Sequence, residues 1–407
     1  MVTNKVVSTI IDSKIKPQTN KISVAVIALG HGVTDLFANF LASLLPIFVD
    51  KFSLSKTSIG VMISVMGISG SMFQVVFGYL GDRWGRKLFI VIGPIMAGIF
   101  MTFIGLAPSY HVLIVILLIG GLGVSAFHPH AASTAGDVAG TGKNRDFSLA
   151  VFMAIGTIGY ALGPLFAAYL MSSPFIGPKR MPYASILGII TTILLYKYVS
   201  LKKETGQKRE SVNILQVIKP EIKLLTNLFI IVTLRSTTTI VYVNFLSLLI
   251  KQRDLSLMIG AIVLFIFSLS TALGTFLGGY VSRWVSRKSI IIYSMLLSSP
   301  FLIALLYTNG VIFVIFLSLS GVMISFANPA NLAIAQEAIP KGASTASSLM
   351  MGASWGVAAI IAMFFGVIAD FFGGNVIPAM AISAFLPILA AISAISIPRK
   401  TMAHISR

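Results

Sequence analysis

The chain has no cysteine, which excludes disulfides and thiolate metal sites and leaves the redox compartment unread. Charge is scarce too. Asp, Glu, Lys and Arg together make up 10% of the 407 residues, against roughly 25% in an ordinary soluble domain. Walker strings, metal-binding motifs and nucleophile elbows are missing, so ATP is not the driver and no catalytic metal or cofactor is expected. What is abundant is apolar: 56% of the chain is hydrophobic. A soluble fold of this size has nowhere to put that surface, because much of its area faces water. Lipid removes the conflict, so composition alone predicts an all-α protein that crosses a membrane many times.

The charge that is present is lopsided, with a formal net charge of +18. The basic residues lie between long apolar runs, with no aromatic-basic module among them. They point to membrane topology rather than nucleic-acid binding. A span needs about twenty apolar residues, and twelve candidates emerge: 22–49, 57–80, 88–107, 110–135, 147–173, 181–199, 224–250, 257–281, 289–308, 311–336, 345–370 and 376–397. Of the 30 Lys and Arg, only Lys51, Lys56, Lys179, Arg180, Lys251 and Arg253 fall in one set of alternating connections, and Arg235 falls inside a span. All the others lie in the opposite set and in the two tails. Positive segments stay cytoplasmic, so both termini are expected inside, in a plasma-membrane protein. The apolar run after Lys21 is far longer than a signal-peptide core and reads as a retained first span.

The expected organisation is a cytoplasmic tail at 1–21, a six-helix bundle at 22–199, a cytoplasmic loop at 200–223, a second bundle at 224–397 and a tail at 398–407. The halves repeat at an offset of about 200. Gly78-Tyr-Leu-Gly-Asp-Arg-Trp-Gly-Arg-Lys87 aligns with Gly279-Tyr-Val-Ser-Arg-Trp-Val-Ser-Arg-Lys288, each after the second span of its half. Phe127-His128-Pro129 likewise sits opposite Ala327-Asn328-Pro329. Parallel six-span repeats are a transporter architecture, with the site near the midplane between them.

The string at 78–87 resembles the loop signature of the major facilitator superfamily, in the right place between spans two and three. His31-Gly-Val-Thr-Asp35, with Gly121-Leu-Gly-Val-Ser-Ala-Phe-His-Pro129, resembles the fosmidomycin-resistance branch of that superfamily. Gly159, Gly163 and Pro164 in span five resemble its antiporter motif and suit close helix packing. The resemblance implies two pseudo-symmetric six-helix bundles, a monomer, and export of drug-like or metabolite solutes in exchange for protons. Gly78, Gly81, Asp82, Arg83, Gly85 and Arg86 would form a conformational latch, with Asp82 facing a helix N-terminus or an Arg. The second copy has Arg283 where the first has Asp82, so its latch should be weak. The span-four Arg of many proton-coupled exporters is replaced by Leu117.

Ionisable groups inside spans are costly and usually face a cavity or a partner. Asp35 is about 20 Å into the first span at 1.5 Å per residue, with His31 and Asn39 on the same side of the helix. An Asp beside a His can hold and pass a proton; the rival role is a permanent ion pair. Arg235, the offset-200 counterpart of Asp35, is expected to face it across the pathway. It would hold an anionic substrate group or neutralise Asp35, with Thr239 and Tyr242 extending the polar face. His128, placed near the cytoplasmic side, marks a helix break with either a proton-relay or a capping role. Gln74, Asn328 and Asn331 line the cavity or bond between helices. Glu337 and Asp370 read as ordinary interfacial charges. The expected function is proton-coupled efflux by alternating access. Proton-linked uptake of a small organic anion is the alternative, and a non-transporting receptor or assembly factor on the same fold is a third reading.

Overall fold

The computed structural model describes residues 21–138, 143–199 and 218–398. Both tails and most of the central segment 200–223 lie outside those residues. The described chain is helical, in twelve successive pieces: α1 Lys21–Phe52, α2 56–84, α3 Arg86–Leu106, α4 Tyr110–Val138, α5 Lys143–Ser172, α6 177–198, α7 Lys219–Gln252, α8 Leu257–Val281, α9 Arg287–Leu306, α10 Gly310–Ala338, α11 Thr345–Phe371 and α12 Val376–Ile395. Eleven are long and apolar enough to cross a membrane. The exception is α6, a short helix Gly177–Arg180, a 3₁₀ turn Met181–Ser185 and a regular helix of only 13 residues, Ile186–Tyr198. Pro178 and Pro182 fall in its first two pieces and lack the N–H that a continuous α-helix needs there.

The helices form two bundles. In the first, α1 packs on α5 and α3 on α4; in the second, α8 and α9 pack on α10, and α7 on α12. The end where α1 starts and α12 finishes is the proximal end, and the opposite end is distal. The internal repeat is visible in chemistry as well as in sequence. Arg86 pairs with Asp137 at 3.0 Å, and about 200 residues later Arg287 pairs with Glu337 at 2.6 Å. Glu337 is thus an interfacial structural charge, as its place at a span end suggests.

Proline decides much of the packing. A proline inside a helix has no N–H to give, so the carbonyl four residues earlier loses its partner. Within a bilayer that carbonyl has no water to turn to. Pro46 frees the Ala42 carbonyl, which accepts from Ser247 Oγ of α7 at 2.6 Å. Pro164 frees the Tyr160 carbonyl, which accepts from Asn39 Nδ2 of α1 at 2.9 Å. Pro387 frees the Ser383 carbonyl, which accepts from Thr238 Oγ1 of α7 at 2.7 Å. Each lost helical bond thereby becomes a bond between helices. Pro129 behaves differently from expectation. Helix α4 runs through it without a break from Tyr110 to Val138.

Close packing of α1 on α5 depends on small residues. A Cβ at Gly159 would lie 2.0 Å from the Gly32 carbonyl oxygen, and one at Gly163 would lie 2.4 Å from that of Leu36. Two π-turns interrupt otherwise regular helices, Ile68–Met72 in α2 and Ser348–Ala353 in α11. Gly352 of the second approaches Ser71 of the first.

Asn39→Ala leaves the Tyr160 carbonyl unpaired and should cost about 1 kcal/mol of stability. In a Pro164→Ala background, where the helical bond returns, the same substitution should cost less than half as much. Thermal or denaturant unfolding of the four variants in detergent measures the coupling, and simple additivity would refute the proline account.

Candidate functional site

Helix α1 presents His31 and Asp35 one turn apart, and α4 brings His128 to them. His31 Nε2 lies 3.2 Å from Asp35 Oδ2. His128 Nε2 lies 2.9 Å from Asp35 Oδ1. The other nitrogen of each ring is also engaged: His31 Nδ1 is 2.9 Å from the Phe152 carbonyl of α5, and His128 Nδ1 is 3.1 Å from the Val124 carbonyl. Phe152 stacks on the His31 ring at 4.1 Å between centroids. The side chains of His31, Asp35 and His128 are 8%, 13% and 25% exposed, so the cluster is sealed at His31 and reached from His128. His128 therefore shares the level of Asp35 rather than sitting near the proximal surface.

A carboxylate between two imidazoles is a proton-holding arrangement. The three ligand atoms also lie within 4.8 Å of one another, close enough to suit a divalent metal. The Nε2–O separations are hydrogen-bond lengths, however, and each ring is locked by a second bond to a carbonyl.

Arg235 does not reach Asp35. It is 3% exposed and lies between α7 and α11, with its guanidinium 5.8 Å from the centre of the Trp355 ring. Nη2 donates to Ser236 Oγ at 2.9 Å, while Nε and Nη1 have no hydrogen-bond partner among the described residues. Both polar atoms of Asn331 on α10 are likewise unpartnered and buried. Buried donors and acceptors are normally satisfied, so this part of the second bundle is the place where polar groups await something else.

The remaining residues expected at the pathway are placed as follows. Thr239 bonds back to the Arg235 carbonyl, and Gln74 to that of Gly70. Tyr242 is fully buried inside the second bundle, donating to the Leu302 carbonyl at 2.9 Å and stacking on Phe267. Asn39 is spent on the Tyr160 carbonyl.

The 78–87 string is less a loop than a helix end. Helix α2 runs to Trp84, Gly85 turns the chain at φ 97°, and α3 starts at Arg86. Arg86 Nη1 donates to Ser133 Oγ at 2.7 Å as well as to Asp137, tying α3 to α4. At Gly81 a Cβ would run into the His130 ring at 1.9 Å, whereas at Gly78 it would meet open space. Arg83 is exposed, and the side chain of Asp82 lies outside the described ones.

A carboxylate does face a helix N-terminus, but at the distal end, where sequence reasoning saw only an interfacial charge. Asp370 of α11 accepts from the Lys56 and Thr57 backbone N–H at 2.7 Å each, and from Thr57 Oγ1 at 2.6 Å. Capping of the α2 dipole and charge-assisted bonds favour this contact together. Ser64 Oγ donates to the Ala359 carbonyl at 2.8 Å, and Lys251 pairs with Asp50 and donates to the Pro46 carbonyl. Among the described residues, the hydrogen bonds and ion pairs that join the two bundles all lie in the distal half. The signal that could have found Asp370 is its place four residues before the Gly374-Asn375 pair that opens α12, together with a serine-capped helix start at Ser55.

With this geometry in view, the comparisons are decisive on family. The Major Facilitator Superfamily profile matches residues 27–363. The chain belongs to the Major Facilitator Superfamily. It is therefore a multi-pass membrane protein and a secondary transporter of a small molecule, in a family of transporters and not of enzymes. The chain is similar to the fosmidomycin resistance protein of Escherichia coli, 25% identical over 387 residues and 93% of each chain. It is similar to multidrug resistance protein 1 of Bacillus subtilis, 25% identical over 173 residues, which is 39% of this chain and 43% of that one. Among solved structures, a variant of the nucleoside transporter NupG superposes with a TM-score of 0.77 at 15% identity, over 92% of this chain and 99% of that one. That likeness supports the superfamily fold.

Asp370→Asn should loosen the distal seam. Because the chain has no cysteine, a single Ala362→Cys, fully buried in α11, reports on it through maleimide labelling. The rate should rise about fivefold, the effect of roughly 1 kcal/mol. An unchanged rate would mean that the carboxylate does not hold the seam.

Proposed function

We propose that the chain is a proton-coupled exporter of small drug-like or metabolite solutes, working as a monomer in the plasma membrane with both termini cytoplasmic. The observation that carries this reading is the His31–Asp35–His128 cluster, a titratable group of three buried in the first bundle where a fixed charge would be expensive. The excess of Lys and Arg in the proximal connections supports the orientation. The names of the fosmidomycin- and multidrug-resistance relatives support export.

Alternating access follows from rocking the bundle at 22–199 against that at 224–397. Among the described residues the bonds across the seam are distal, which supports reading this arrangement as the state that opens toward the cytoplasm. Protons entering from outside are then held at Asp35 until His128, the more exposed ring, releases them inward. The solute binds between the bundles, within reach of Arg235, Gln74 and Thr239. When the bundles tilt the other way, the distal bonds of Asp370 and Lys251 part, and the 78–87 string, with Asp82, closes the proximal side.

A second reading has one observation in its favour. The two unpartnered donors of Arg235 suit an anionic group, since a guanidinium edge binds carboxylate or phosphonate in a fork. This favours an anionic solute, and with it proton-linked uptake. Counterflow in vesicles of both orientations under an imposed pH gradient separates the two, because exchange of opposite sign marks export and cotransport marks uptake.

The test of the first reading is a susceptibility panel on cells with and without the protein, including phosphonate antibiotics and lipophilic cations. Protection against at least one compound is expected, and Asp35→Asn should abolish it while membrane abundance is retained. Full protection by Asp35→Asn would overturn the role of the cluster.

A further inference from the structure

The bonding of the two imidazoles fixes more than their positions. A backbone carbonyl can only accept. His31 Nδ1 faces the Phe152 carbonyl and His128 Nδ1 faces the Val124 carbonyl, so both Nδ1 atoms carry hydrogen. A neutral ring in that tautomer presents a bare lone pair at Nε2. Yet both Nε2 atoms point at Asp35, each at a different carboxylate oxygen, at 3.2 and 2.9 Å. Lone pair against carboxylate repels. Each contact at that length needs its own proton, and one proton can satisfy only one of them.

We infer that the cluster in this arrangement holds two protons, one in each Nε2–Asp35 contact, and that each transport cycle moves both. This rests on the proton-coupling reading above. Loaded, two imidazolium rings flank one carboxylate, for a net charge of +1. Unloaded, two neutral rings flank it, for a net charge of −1. Both protons come from water and return to it: each Nε2–H bond forms on loading and breaks on release, and no bond between non-hydrogen atoms changes. The half-loaded state leaves one Nε2 lone pair against a carboxylate oxygen, so that contact opens, while the remaining imidazolium, with the carboxylate to itself, holds its proton more tightly than either ring did in the loaded state.

Among the described residues, the neighbours supply no competing charge. On α5, the nearby Tyr160 is an uncharged phenol. On α4, His130 turns away to the Phe77 carbonyl at 2.8 Å. The basic groups of α3 are engaged elsewhere, Arg86 with Asp137 and Lys87 over the Tyr196 ring of α6. Lys197 of α6 lies over Tyr198.

The test is nitrogen-15 NMR on the full chain, labelled at histidine and held in lipid nanodiscs. The chain has five histidines, and His31→Gln and His128→Gln identify the two signals. In the wild type, both rings should be imidazolium at low pH and lose their Nε2 protons in two coupled steps, the second at higher pH, each leaving the Nδ1–H tautomer. Asp35→Asn should lower the proton affinity of both rings by about tenfold or more. Should Asp35→Asn fail to fold, His128→Gln answers the same question, because His31 should then titrate alone and keep its partner. A neutral ring in the Nε2–H tautomer, or an Asp35→Asn shift confined to one ring, would overturn the two-proton load. The coupling reading stands or falls separately. Linked rings in a chain whose protection survives Asp35→Asn keep the count and lose the coupling, and a single linked ring in a chain whose protection needs Asp35 does the reverse.

Discussion

Every backbone carbonyl inside lipid needs a donor, and this chain turns that demand into its helix contacts. Proline removes a helical donor at chosen points, and the orphaned carbonyl is filled by a side chain from another helix. Asn39 answers Pro164 within the first bundle, and Thr238 answers Pro387 within the second. Ser247 answers Pro46 across the seam. The third case is different in kind, since it makes part of one bundle's backbone satisfaction depend on the other bundle's position. The distal seam is thus held by backbone chemistry as well as by charge.

The two bundles divide their polar groups unevenly. In the first, the ionisable residues of the interior are fully engaged, with both nitrogens of His31 and of His128 bonded. In the second, Arg235 and Asn331 keep buried polar atoms without partners. One half of the repeat thus holds a fully bonded His–Asp–His cluster, and the other a buried guanidinium and amide with unpartnered atoms among the described residues. That asymmetry fits a machine in which one half handles the coupling ion and the other the solute.

Much of the fold was legible because lipid imposes long apolar runs and the positive residues mark their ends. All twelve helices could be read from length and hydropathy, α6 at 181–199 among them; its breaks at Pro178 and Pro182, which leave it shorter than the other eleven, could not. The pair His31 and Asp35 was visible through helical spacing. His128 was visible as a relay or capping histidine but was placed near the cytoplasmic side, because its contact with Asp35 depends on how α4 slides past α1, and no single-helix period encodes that. The same blindness misplaced Arg235, Tyr242 and Asn39. Their residue types said polar and intramembrane, but only packing decides whether such a group meets the pathway, a neighbouring carbonyl or an aromatic face.

The π-turns of α2 and α11 meet at the seam, on the proximal side of the bonds that join the two bundles among the described residues. Such a turn carries an extra residue, and shifting it along a helix re-aims the side chains in between while the ends stay put. Two of them set face to face give the joint a gear rather than a hinge: the helices can change which residues they show each other without sliding apart. In the rocking motion proposed above, slack in the hydrogen-bond ladder at these two turns would serve as the joint.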